Sequence, residues 1–238
     1  DPNSPMLCAS LVLKTDVFLM SLMTNPKEMH HLIDLTTKVF LEFYQRQLDL
    51  LKYPAFPGHG YIFTKKAEGI CVSEDNLAQL PPAVFEEFEI PSLEKIAEKF
   101  GGVYVHSCGN WIHNLDSVLK IKGLKGINFH SSPVEMDPEI VLKKIKASGK
   151  DVAVFTDFGQ IGIKWSDSFK DEKDAYVNWF LKKICYDGIP KGVFITTFDN
   201  YPGITKYGYG YCRENITAEQ AGNDYDWIKN EIKKLAVK

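Results

Sequence analysis

Val103-Tyr-Val-His-Ser-Cys-Gly-Asn-Trp-Ile-His-Asn-Leu-Asp-Ser-Val-Leu-Lys-Ile-Lys-Gly-Leu-Lys-Gly-Ile-Asn-Phe129 decides the fold. Val103-Tyr-Val105 is a short apolar run of strand length. Trp111–Ile121 carries apolar residues at helical spacing, and Gly126-Ile-Asn-Phe129 is a second short apolar run. Strand, helix and strand in this order make a βαβ unit, whose two strands pair in parallel. The rhythm extends both ways. Upstream, Gly69-Ile-Cys-Val72 reads as a strand and Pro82–Phe100 as one helix. Downstream come a helix at Pro138–Ser148 closed by Gly149, a strand at Val152–Phe155, a helix at Glu172–Tyr186, a strand at Val193–Ile195 and a last helix at Thr217–Val237. Before the alternation, residues 1–16 read as an irregular entry. Pro26 then opens a long helix with Asn25 as its N-cap and Met29, Ile33, Val39, Phe40 and Phe43 among its apolar positions. Tyr53–Gly60, rich in proline and glycine, reads as a loop. The class is α/β with a parallel sheet. Five strands suit an open doubly wound sheet or most of a (β/α)8 barrel, and periodicity does not choose between them.

Composition narrows the functions. The chain has 238 residues, 45% hydrophobic and 25% charged, enough apolar material for one domain spanning 1–238. A net charge of −3 offers no basic excess to neutralise phosphates, so no nucleic-acid partner is expected. The apolar stretches Met6–Leu13 and Val17–Met23 are short of the roughly 20 residues that cross a bilayer, so no membrane partner is expected either. Cys8, Cys71, Cys108, Cys185 and Cys212 are an odd, scattered set without C-x-x-C, which predicts reduced thiols and a cytoplasmic setting.

In parallel α/β folds ligands bind where strands end, so the residues just after each strand carry the chemistry. Here every such stretch is polar: Ser73-Glu-Asp75, His106-Ser-Cys-Gly-Asn110, His130-Ser-Ser132, Thr156-Asp157 and Thr196-Thr-Phe-Asp-Asn200. Asp75, Asp157 and Asp199 are the candidate catalytic carboxylates. Ser73, Asn110, His130 and Tyr209 are candidate substrate contacts, Tyr209 from the Tyr207-Gly-Tyr-Gly-Tyr211 loop that reads as a lid or as a packed surface loop. His106 and Cys108 stand two apart on an extended segment, so their side chains share one side. An imidazole and a thiolate so placed begin a zinc site. The alternative is a small buried cysteine beside a hydrogen-bonded histidine. Gly109 permits a tight turn, and Asn110 can cap the following helix.

Ser73-Glu-Asp-Asn-Leu-Ala-Gln-Leu-Pro-Pro-Ala-Val-Phe-Glu-Glu-Phe-Glu-Ile-Pro91, followed by Val105-His-Ser-Cys-Gly-Asn110, resembles the uroporphyrinogen decarboxylase superfamily. Ala9-Ser-Leu11 and Asn25-Pro-Lys-Glu-Met-His-His-Leu32 add to the likeness, which is good over about residues 5–130 and continues beyond mainly as the strand–helix rhythm. The resemblance implies a (β/α)8 barrel of which this chain holds the later part, and hence a preceding barrel segment.

It also implies one of two chemistries acting on a small-molecule substrate. The decarboxylase branch works without metal, using early-barrel residues, a tyrosine near Ala9-Ser10-Leu11 and a histidine in the last strand-end loop. This sequence has neither that tyrosine nor a histidine in Thr197–Gly203. The other branch transfers a methyl group from a corrinoid, carried by a partner protein, to a thiol, with zinc held by a His-x-Cys pair and a later cysteine. His106 and Cys108 match the pair. The later cysteine would fall near Asp199-Asn200, where none stands, so Cys212 becomes the expected third ligand and Asp199 its substitute. Zinc-dependent methyl transfer is thus the leading expectation. A cofactor-free decarboxylase and a non-catalytic ligand- or partner-binding barrel are the alternatives.

Overall fold

The computed structural model describes residues 2–51, 69–133, 135–157, 173–188 and 190–196, together with 226, 229–230 and 232–234 near the C-terminus. The backbone groups into two units, one of 1–128 with 148–153, the other of 129–147 with 154–238.

The first unit opens with helix α1, Pro5–Val12, where an irregular entry is expected. Ser4 caps it: its Oγ accepts the Leu7 N–H at 3.0 Å, and Pro5 sits in the first turn, where its missing N–H costs nothing. Met6, Leu7 and Ala9 are buried. Helix α2, Thr15–Thr24, follows, then α3, Pro26–Leu51, starting at the predicted proline. The apolar positions of α3 split in two. Met29, Ile33, Thr37 and Phe40 line its buried stripe, whereas Val39 and Phe43 are exposed. Asn25 does not cap α3 with its side chain, whose amide donates to Thr24 Oγ1 at 2.9 Å.

Strand β1 is Ile70–Ser73. The single helix expected over Pro82–Phe100 is two, α4 at Pro82–Phe88 and α5 at Ile90–Phe100. Pro91 explains the break: it has no N–H for the Glu87 carbonyl, and its ring crowds that carbonyl. Strand β2 is Val103–His106. After it the expected helix is reduced to a 3-10 turn, Ile112–Asn114, and the short α6, Leu115–Val118. Strand β3 is Leu124–His130. β1 and β2 run parallel with Ser73 opposite His106, and β2 and β3 run parallel with His106 opposite Asn128. Ile70, Cys71, Val72, Val103, Val105, Ile127 and Phe129 are all buried. Such near-continuous burial is what makes parallel strands read as unbroken apolar runs. Close approach at the start of β1 requires glycine, since a Cβ on Gly69 would sit 2.5 Å from the Gly102 carbonyl oxygen. On the outer side of β1, the Ser73 N–H donates to Pro2 O and the Ser4 N–H to Ser73 O, at 2.9 and 2.7 Å.

The second unit holds helix α7, Pro138–Ser148, as predicted, strand β4, Ala153–Asp157, helix α8, Lys173–Ile184, and strand β5, Val193–Thr196. Lys183 of α8 pairs with Asp137 and Glu139 at 2.9 and 3.0 Å. Within this unit β4 and β5 also run parallel, with Val154 opposite Val193. The expected α/β class with a parallel sheet is met, while a closed eight-stranded barrel is not shown among the described residues. No single helix there is long and apolar enough to cross a membrane. α1 and α2 pass that test only as a pair, and they are bent by 112°.

Candidate metal centre

Strand register builds the site. Paired residues of parallel strands present their side chains to the same face, and so do residues two apart on one strand. His106 ends β2 opposite Asn128 of β3, and His130 lies two residues past Asn128 at the end of β3. His106, Asn128 and His130 therefore share a face, and all are buried.

The loop after β2 is held from several directions. Ser107 N–H donates to Asn128 O at 3.4 Å. The indole N–H of the fully buried Trp111 donates to Ser107 O at 3.1 Å. Asp75 Oδ1 accepts the Cys108 N–H at 3.1 Å. Gly109 turns the chain at φ 75°, a left-handed conformation that favours glycine. Asn110 Oδ1 then accepts the Ile112 N–H at 3.2 Å in a local turn, whereas the N-cap of the 3-10 turn is Trp111, with no side-chain cap, rather than the expected Asn110.

Within this frame Cys108 Sγ lies 3.5 Å from His106 Nε2, while His106 Nδ1 hydrogen-bonds Asn128 Oδ1. The donor atoms of His106, Cys108 and His130 all lie within 4.8 Å of one another, so the group can hold a metal ion. The spacing suits zinc: metal–nitrogen and metal–sulfur bonds of about 2.0 and 2.3 Å at a tetrahedral angle put the two donors about 3.5 Å apart. Two imidazoles and one thiolate are donors of borderline softness, which zinc accepts.

The structure sorts the candidate residues. His106 and Cys108 come together as expected. His130, read as a substrate contact, joins them as the third donor. Asp75 is not among the donors and acts on the backbone of Cys108. Ser73 is buried at the strand end with its backbone groups committed to Pro2 and Ser4. Asn110 is exposed and holds a local turn. Asp157 closes β4. Asp199, Tyr209 and Cys212, with the aromatic loop around them, lie outside the described residues. Trp111 and Phe129 are fully buried core. Asn128 was legible as part of the Gly126–Phe129 strand and had no signal of its own; its alternation with His130 is the clue that places both on one face.

A second buried polar cluster lies wholly in the first unit. Glu74 and Glu89 are both fully buried. Ser4 Oγ donates to Glu74 Oε2, and the Asn76 N–H donates to Glu74 Oε1 at 3.0 Å. Met6 N–H and Ser92 Oγ donate to Glu89 Oε2, at 3.2 and 2.9 Å, while Glu89 Oε1 has no hydrogen-bond partner among the described residues. Burial pushes the Glu74 carboxyl up to about 7, against the hydrogen bonds it accepts. Burial, and then the charge of Glu74, push Glu89 well above the usual carboxylate range.

No protein-family model matches the chain, and no curated protein matches it at a significant level.

Proposed function

We propose that this protein is a zinc-dependent enzyme of the uroporphyrinogen decarboxylase-like barrel class that moves a methyl group from a corrinoid carrier to a thiol. One observation carries the metal part: the donor atoms of His106, Cys108 and His130 converge at the ends of two neighbouring parallel strands. The sequence resemblance supplies the reaction, and the parallel strand–helix order supports the barrel.

Thiol, imidazole and amide in line, as Cys108, His106 and Asn128 stand, is also the order of a cysteine nucleophile with an oriented base. His130 argues for the metal instead, because a nucleophile pair needs no second imidazole within reach of both groups. When bound, zinc lowers the pKa of a ligating thiol so that it reacts as thiolate. Cys108 would hold the ion as thiolate, and His106 and His130 as neutral imidazoles. With three donors among the described residues, a bound zinc would have room for the acceptor thiol, as a catalytic rather than a structural site does. Two loop anchors, the buried Trp111 and the exposed Asp75, keep Cys108 in place while substrates exchange. The corrinoid comes on a partner protein, and the reduced thiols suit a cytoplasmic setting.

Metal analysis of the purified protein tests the proposal. About one zinc per chain, lost in a His106→Ala/Cys108→Ala double variant, is expected, and thiol methylation from methylcobalamin becomes the activity to assay. Protein without zinc, even after reconstitution, would overturn the metal reading and turn attention to porphyrinogen carboxylates as substrates.

A further inference from the structure

We infer that Asn128 is a positioning residue that fixes the tautomer of His106 and thereby makes Nε2 its metal-binding nitrogen. The β2–β3 register places Asn128 directly opposite His106, with both side chains on one face and both buried. The contact is between His106 Nδ1 and Asn128 Oδ1. An amide oxygen only accepts, so Nδ1 carries the ring proton and Nε2 keeps its lone pair. Nε2 is also the ring nitrogen beside Cys108, with Sγ at 3.5 Å. One amide thus sets which nitrogen can bind metal and which way the ring is turned. β3 serves the centre twice: Asn128 orients a ligand from its neighbour strand, and His130, two residues on and on the same face, supplies a ligand itself.

A metal-bound histidine normally donates its other N–H to an acceptor that fixes its orientation, and loss of such a partner lowers affinity by about 10–100-fold. Among the described residues, the buried Glu74 and Glu89 side chains bond Ser4, Asn76, Met6 and Ser92 instead. Asp75, also described at the site, accepts from the Cys108 backbone. The orienting acceptor on His106 Nδ1 is a neutral amide, which adds no charge of its own to the centre.

The inference rests on the metal-centre reading for its purpose, and its test separates the two. Nitrogen-15 NMR of the histidine side chains in metal-free wild-type protein is expected to show His106 protonated at Nδ1. In Asn128→Ala the two tautomers should mix, and Asn128→Asp, which keeps an acceptor oxygen, should restore the Nδ1–H form. Zinc affinity, measured by competition with a chromogenic chelator, should fall by about 10–100-fold in Asn128→Ala and recover to within about tenfold of wild type in Asn128→Asp. Circular dichroism of each variant confirms that the fold persists. His106 protonated at Nε2 in the wild type would overturn the inference, even if Asn128→Ala cannot be folded. Unchanged zinc affinity in a folded Asn128→Ala would also overturn it. Wild-type protein that binds no zinc but shows the Nδ1–H tautomer, mixed in Asn128→Ala, would overturn the metal reading alone and leave the orienting role standing.

Discussion

Two buried polar clusters are built on opposite terms. At the end of β2, His106 meets Asn128 ring nitrogen to amide oxygen, a complementary pair that needs no charge on Asn128. At the start of α1, Glu74 and Glu89 are both acids, fully buried, served by hydroxyl and amide donors and left with one oxygen that has no partner among the described residues. A matched buried pair orients a ring at little electrostatic cost. An acid pair has to keep a proton or bear the desolvation of its charge. The comparison teaches that burial alone does not single out a candidate centre; complementary partners and converging donors do.

The largest effect that would break this comparison is at His130. His130→Ala removes a donor outright, so zinc affinity should fall by more than the roughly 100-fold upper range of an outer-shell loss. Calorimetric titration with zinc checks it. Retained stoichiometric zinc would mean that the third ligand lies elsewhere, with Cys212 and Asp199 next to test.

The acid pair should show itself in stability rather than in metal binding. Both carboxyls have folded-state pKa values above the ordinary 4.5, Glu74 at about 7. The folded state therefore holds protons that the unfolded chain releases. This contribution is fully present below the ordinary carboxylate pKa and is lost as pH rises through about 7. Denaturant unfolding should show stability falling between about pH 5 and 8, by an amount on the order of a few kcal/mol. Glu89→Gln should flatten the slope and leave zinc affinity unchanged. A slope that persists in both Glu89→Gln and Glu74→Gln would break the assignment.

Smaller effects sharpen the contrast. Ser4→Ala removes the α1 cap and the hydroxyl that serves Glu74. It should cost about 1 kcal/mol, lowering Tm by roughly 2–4 °C for a chain of this size, with no change in zinc content. Asp75→Ala frees the Cys108 N–H without touching a donor atom. Zinc affinity should fall by less than about tenfold, below the loss expected of Asn128→Ala. A larger fall at Asp75 than at Asn128 would reverse the ranking of the two supports.

Much of the fold was legible because it rests on local pattern. The strands from β1 to β5, the start of α3 and the whole of α7 follow from apolar runs, prolines and glycines that act on their immediate neighbours. The misreadings share a cause in signals passed over or insufficient. Ser4-Pro5 is a helix start that the short apolar run after it obscured. Pro91 splits a helix whose apolar spacing runs on through it. Val39 and Phe43 fit helical spacing as well as Ile33 and Phe40 do, and only packing against the rest of the unit decided which face is buried.

The candidate site divides the same way. His106-x-Cys108 is a pair along the chain, so the alternation of an extended segment was enough to put both side chains on one side. His130 and Asn128 are neighbours across strands, and register depends on hydrogen bonding between segments more than twenty residues apart, which no local pattern encodes. The sequence by itself determined the α/β rhythm, the polar strand ends and the imidazole–thiol pair. Tertiary structure alone decided that His130 joins the pair as a possible third donor, that Asn128 meets the His106 ring, and that Glu74 raises the pKa of Glu89, because each is a relation between strands or helices that only folding brings within reach.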